Sequence, residues 1–68
     1  MATYYVNKNP QSNGDHEVHT STCPYLPSES NRKYLGSFSD CKDAVKEAKK
    51  TYSTADGCKT CSPDCHTR

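Results

Sequence analysis

The spacing of apolar residues changes character along the chain. Near the start, Thr3-Tyr4-Tyr5-Val6 gathers residues that favour extended backbone, and Glu17-Val18-His19-Thr20 is a second run of the same kind. The polar stretch NKNPQSNGD between them is too long for a two-residue turn, so the pair predicts an antiparallel hairpin with a wide loop. From Ser21 to Lys33 the chain is rich in Ser, Pro and Asn, and Pro24 and Pro27 bar regular ladders; an ordered turn and a loop are expected there. Tyr34 to Phe38 then reads as a short third strand. After it the period lengthens: Cys41, Ala44, Val45, Ala48 and Tyr52 recur at three- and four-residue steps, while Lys42, Asp43, Lys46, Glu47, Lys49 and Lys50 fill the other positions. Ser39 is placed to cap this helix, which should run near residues 40–52 and stop before Ser53-Thr54. The chain closes on the polar SPDCHTR, with 64–68 expected as a flexible tail. The pattern thus predicts an α+β fold, a single domain over 1–68 with a short antiparallel sheet of about three strands and one main helix.

Composition adds a difficulty. The large apolar residues come down to Val6, Val18, Leu26, Leu35, Phe38 and Val45, with neither isoleucine nor tryptophan. A chain of 68 residues rarely stabilises a fold on so small a core without a staple. Five cysteines can supply one. Their odd number and the absence of a signal-type leader in MATYYVNKNP point to a reducing, cytoplasmic setting, in which clustered cysteines are more often ligands than bridges. No apolar stretch approaches membrane-spanning length, so no membrane partner is expected. A net charge of +1 is far from the cationic excess of a protein that lives on phosphate contacts.

Candidate chemistry sits first in HEVHTSTCPY, residues 16–25. A zincin helix needs H-E-x-x-H, and His16-Glu17-Val18-His19 is one residue short. A zinc deaminase needs H-x-E with a later P-C-x-x-C, and here His16 and Glu17 are adjacent while Cys58-Lys59-Thr60-Cys61 follows Gly57. Both catalytic signatures fail on spacing. What remains is His19 and Cys23 as H-x3-C, and, far along the chain, Cys58 and Cys61 as C-x-x-C. Structural zinc favours four Cys or His ligands, commonly as two such short-range pairs, so His19, Cys23, Cys58 and Cys61 are the predicted Zn²⁺ ligands. Other uses of the same residues stay open: a redox pair at Cys58 and Cys61, a bridged exported module with Cys23 joined to Cys58, or Cys65 or His66 replacing a ligand. Cys41 is expected in the core, His16 exposed at a strand end, and Glu17 on the surface of its strand. The lysines of the helix are expected as a solvated face, paired with Asp43 and Glu47 at i to i+3.

The order of features has a parallel. A ligand pair with three residues between, a proline-bearing turn, a strand ending in Phe38, a serine helix entry at Ser39 and Cys58-Lys59-Thr60-Cys61-Ser62-Pro63 together resemble the zinc-binding domain of Ada-type DNA methylphosphotriester repair proteins. The resemblance covers roughly residues 17–63. It implies that His19, Cys23, Cys58 and Cys61 take the four ligand places in that order. In that family the first place is a zinc-bound thiolate that accepts a methyl group; here it is His19, whose lone pair the metal would occupy, so the resemblance supports metal and fold more than the repair chemistry. The segment from Ala44 to Cys58 also looks longer than its counterpart. Three thiolates and one imidazole leave a site charge of −1 where four thiolates would leave −2.

These readings converge on a small structural-zinc binding module for a protein or nucleic-acid partner, acting as a monomer or as part of a larger chain. A closed four-ligand site leaves no position for a reactive water, so no catalytic residue is expected. An Ada-like methyl acceptor and a disulfide-stapled extracellular module are the alternatives.

Overall fold

A computed structural model of the chain describes residues 1–67. The architecture is α+β, with four strands and one helix: β1 (Ala2–Asn7), β2 (His16–Thr20), β3 (Arg32–Phe38), α1 (Cys41–Ala48) and β4 (Ala55–Gly57). The sheet order is β3-β1-β2-β4. The expected hairpin is present, with β1 antiparallel to β2 (Tyr5 opposite His19, Val6 opposite Val18), and β3 lies antiparallel on the other side of β1. The fourth strand corrects the expected count of three. It pairs parallel to β2, with Glu17 opposite Asp56 and Val18 opposite Gly57, so the sheet is mixed and not purely antiparallel.

Alternation along β1 decides what each face of the sheet does. Tyr4 and Val6 point to one side, where they meet Val18, Ala55 and the helix residues Cys41, Ala44 and Ala48 to form the core. Ala2, Leu35, Phe38, Val45 and Tyr52 pack around it. The alanines of α1 let the helix backbone approach the sheet closely, which is how so small an apolar set still excludes water. Tyr5 lies on the opposite face, against the edge of Tyr34 with centroids 5.7 Å apart and under the Arg32 guanidinium at 4.6 Å.

The helix differs from expectation at both ends. Its cap is Asp40, whose carboxylate accepts from the Asp43 N–H at 3.2 Å, and not Ser39. Regular helix ends at Ala48, after which Thr51 and Tyr52 both donate to the Ala48 carbonyl in a closing turn. Of the two expected lysine pairs, Glu47 with Lys50 is formed at 3.1 Å. No helix among the described residues is long and apolar enough to cross a membrane.

A bridge joins Cys41, the first residue of α1, to Cys65. Cys41 is a core residue as expected, but Cys65, expected in the tail, is its disulfide partner and is itself buried. Within the segment 64–68, His66 Nδ1 lies 3.1 Å from the Gly57 carbonyl, and the Thr67 N–H and hydroxyl bond to the Asp56 carboxylate at 2.9 to 3.2 Å; Arg68 lies outside the described residues. Burial opposes the charge on Asp56, yet the Thr67 bonds, the Gly57 N–H and the facing His66 outweigh it and hold the carboxyl below its ordinary range. Gly57 makes the close return possible. A Cβ there would stand 2.6 Å from the Cys65 Cβ and 2.8 Å from the Ser62 carbonyl oxygen.

Candidate metal centre

Strand β2 departs from period two at its centre: Val18 and His19 are consecutive and both fully buried. Val18 faces the core with Val6. His19, opposite Tyr5, must then face the other side of the sheet, and something there covers it. The cover is two loops. The turn after β2, closed by the Cys23 N–H donating to the Thr20 carbonyl at 3.1 Å, returns Cys23 toward the strand. From the other end of the chain, the Cys58 N–H extends the parallel pairing by donating to the Val18 carbonyl at 3.0 Å, and the Ser62 N–H bonds to the Cys58 carbonyl at 2.8 Å, curling the C-x-x-C segment over the same spot.

Four ligand atoms meet between these loops. His19, Cys23, Cys58 and Cys61 each offer one, and all lie within 4.8 Å of one another. The Cys23 and Cys58 sulfurs are 3.9 Å apart, and Cys61 Sγ is 4.0 Å from His19 Nδ1. A tetrahedral ion with bonds of about 2.3 Å places neighbouring ligand atoms about 3.8 Å apart. The cluster could hold a metal ion with little movement. His19, Cys23 and Cys58 are buried and Cys61 is half-buried.

Burial and hydrogen bonding act differently on the donors. Burial, reinforced by the neighbouring Cys61 and Cys58 sulfurs and only partly relieved by the Tyr25 N–H, pushes the Cys23 thiol up to about 12. For Cys61 burial also works against the thiolate, but the Thr20 N–H, at 3.4 Å from its sulfur, and donors from Cys23, Ser62 and Cys58 prevail and lower its pKa. Burial lowers the pKa of His19, while the carboxylate of Glu17 pulls it back in part. Burial thus works against charge on Cys23 and His19, while donated hydrogen bonds favour the thiolate of Cys61.

The sequence-predicted residues fall into three groups. His19, Cys23, Cys58 and Cys61 are brought together. Cys65 and His66, weighed as replacements, are not in the cluster: Cys65 is bridged and His66 contacts Gly57 and Asp56. His16, expected exposed, is half-buried, with Nδ1 at 2.9 Å from the Asn7 carbonyl and its ring stacked on Tyr52 at 4.0 Å. Cys23 and Cys58 are free thiols, so the bridge supposed between them is not formed. Glu17, expected as a surface residue, has a side chain only 16% exposed with Oε1 at 3.6 Å from His19 Nε2. The signal for it was the i, i+2 spacing on a strand, which puts Glu17 and His19 on one face.

No protein-family model, curated protein or solved structure matches this chain.

Proposed function

We propose that the protein is a structural zinc module, in which Zn²⁺ held by His19, Cys23, Cys58 and Cys61 ties the β2 turn to the C-terminal loop and shapes a surface for a protein or nucleic-acid partner. The carrying observation is the convergence of four Cys and His donors from opposite ends of the chain, within 4.8 Å, in a fold with a small core. Three thiols and an imidazole suit zinc: they are borderline-soft donors, and a tetrahedral set of four closes the coordination shell. The ion's role is then to offset the cost of ordering two loops that bury little apolar surface. A cytoplasmic setting draws support from the three unbridged thiols, while the Cys41–Cys65 bridge favours an oxidising one. Alkylation trapping in cell extracts separates them, with five reactive or metal-protected thiols in the first case and three in the second.

The test is chelation followed by repletion. Near-ultraviolet circular dichroism and amide exchange of residues 19–25 and 57–62 should lose their native signature when a strong chelator is added and regain it with one equivalent of Zn²⁺. The His19→Ala variant should bind zinc far more weakly. Unchanged spectra on chelation, with no metal found in the parent, would remove the reading.

One observation favours the Ada-like alternative: Cys61 is half-buried where the other two ligand thiols are buried, so an alkyl donor could reach it alone. The Thr20 N–H bond to its sulfur works the other way, because a donated hydrogen bond withdraws electron density from a thiolate. Its mark would be a gain of one methyl on Cys61 after incubation with a methylphosphotriester oligonucleotide.

A further inference from the structure

Glu17 has no place in a four-ligand clamp, yet its carboxylate is largely withdrawn from water, 16% exposed, with an imidazole 3.6 Å away. That imidazole is His19. The three ion pairs among the described residues couple Glu47 to Lys50, Asp56 to His66 and Glu17 to His19, and the distance in the last is 3.6 Å from Oε1 to Nε2. The opposite ring nitrogen, Nδ1, is the one directed at the Cys61 sulfur. The two nitrogens of one buried imidazole therefore look in different directions, one at the thiols and one at a carboxylate.

A neutral imidazole carries one proton and one free lone pair, and a ligating nitrogen must present the lone pair. With Nδ1 toward the cluster, the proton belongs on Nε2, where a carboxylate is the natural acceptor. We propose that Glu17 is a positioning residue of the metal centre: it holds His19 in the Nε2–H tautomer, leaves Nδ1 free to ligate and makes the imidazole a better donor. Strand geometry permits the pairing, since residues 17 and 19 of β2 project from the same face. Glu17 also faces Asp56 across the parallel β2–β4 pair, and Asp56 is itself an anion engaged by Thr67 and His66, so it supplies Glu17 with no cation. Outer-shell carboxylates on ligating histidines commonly govern metal affinity by about 10- to 100-fold.

The inference rests on the zinc reading, and its test keeps the two apart. Zinc affinity is measured by competition with a chromophoric chelator for the parent, Glu17→Ala and Glu17→Gln, each also in a His19→Cys background, and the His19 tautomer is read on the parent from ¹⁵N chemical shifts of the zinc-loaded ring. The expected results are a Kd raised about 10- to 100-fold by Glu17→Ala, a smaller rise for Glu17→Gln, whose amide oxygen still accepts, no effect of either change when residue 19 is a cysteine, and an Nε2–H, Nδ1-ligated ring. Parent affinity retained by Glu17→Ala, an equal loss in the His19→Cys background, or an Nδ1–H ring would each overturn the role of Glu17 while leaving the zinc centre standing. A parent that takes up no zinc would overturn the centre itself, and Glu17's role with it.

Discussion

At the scale of single residues, the chain assigns adjacent positions to opposite tasks. Val18 completes the core and His19, the next residue, heads the ligand cluster on the other face of the sheet. Asp56 and Gly57 divide labour in the same way. Asp56 anchors Thr67 through three contacts of 2.9 to 3.2 Å, while Gly57 vacates the space that the Cys65 Cβ fills. Asp56→Asn should therefore destabilise the fold by about 1 to 3 kcal/mol at neutral pH, the usual cost of losing hydrogen bonds to a buried charged group. Because the folded-state pKa of Asp56 is lowered, its contribution is complete above the unfolded carboxyl value of about 4 and is lost as pH falls through the folded value. Denaturant titrations of parent and variant should stay apart from pH 7 to about 5 and converge in acid below about pH 4. A gap that persists in acid would show that Asp56 acts through shape and not charge.

The same scale shows what a sequence can disclose about a site. The convergence of His19, Cys23, Cys58 and Cys61 was legible because ligand chemistry restricts both residue type and short-range spacing. Glu17 was not: the strand at residues 17–20 was predicted, but nothing in the string says that its outer face is roofed by loops. Cys65 was misplaced for a related reason. A disulfide partner is fixed by three-dimensional proximity, and nothing in SPDCHTR signals that Gly57 lets the segment fold back onto α1.

At the scale of elements, β1, β2, β3 and α1 followed from runs of β-formers and from the 3.6-residue apolar period, with ends shifted by a few positions. Strand β4 did not. Ala55-Asp56-Gly57 contains no β-branched or aromatic residue, and it is a strand because β2 offers it a parallel edge and the closing turn of α1 delivers it there. Asp40 replaced Ser39 as the cap because both can accept from the first turn and only the geometry of entry distinguishes them. The short β4 leads directly into the turn that carries Cys58 and Cys61, two of the proposed ligands, so its placement should control the site. Gly57→Ala forces the Cys65 segment outward against backbone contacts below 3 Å, with an overpacking cost of about 1 to 3 kcal/mol. Chelator competition should show weaker zinc binding in this variant although no ligand is altered. Parent-like affinity would mean that the loop carrying Cys58 and Cys61 adjusts independently of β4.

At the scale of the whole molecule, the five cysteines divide between a Cys41–Cys65 bridge and a cluster of three free thiols with His19 that could hold a metal ion, the proposed second staple. The odd count that argued against a disulfide framework is thus accounted for by a mixed solution. The staples act on different parts of the same problem. The bridge closes a loop across a sequence separation of 24 and holds the last turn on α1; the chain-entropy account makes such a closure worth about 3.5 kcal/mol. The proposed metal joins the turn after β2 to the loop after β4 on the opposite side of the sheet. Between them sits a core whose only wholly buried large aliphatics among the described residues are Val6 and Val18, a small apolar set for a chain that must hold both loops.

The most direct test of this account is native mass spectrometry of the protein purified without chelator or reductant, set beside the same sample denatured in acid. The account predicts a native mass one zinc above the chain, a denatured mass two hydrogens below the fully reduced value, and three alkylatable thiols once the metal is released. A native species without metal and a second bridge in place of the free thiols would contradict it.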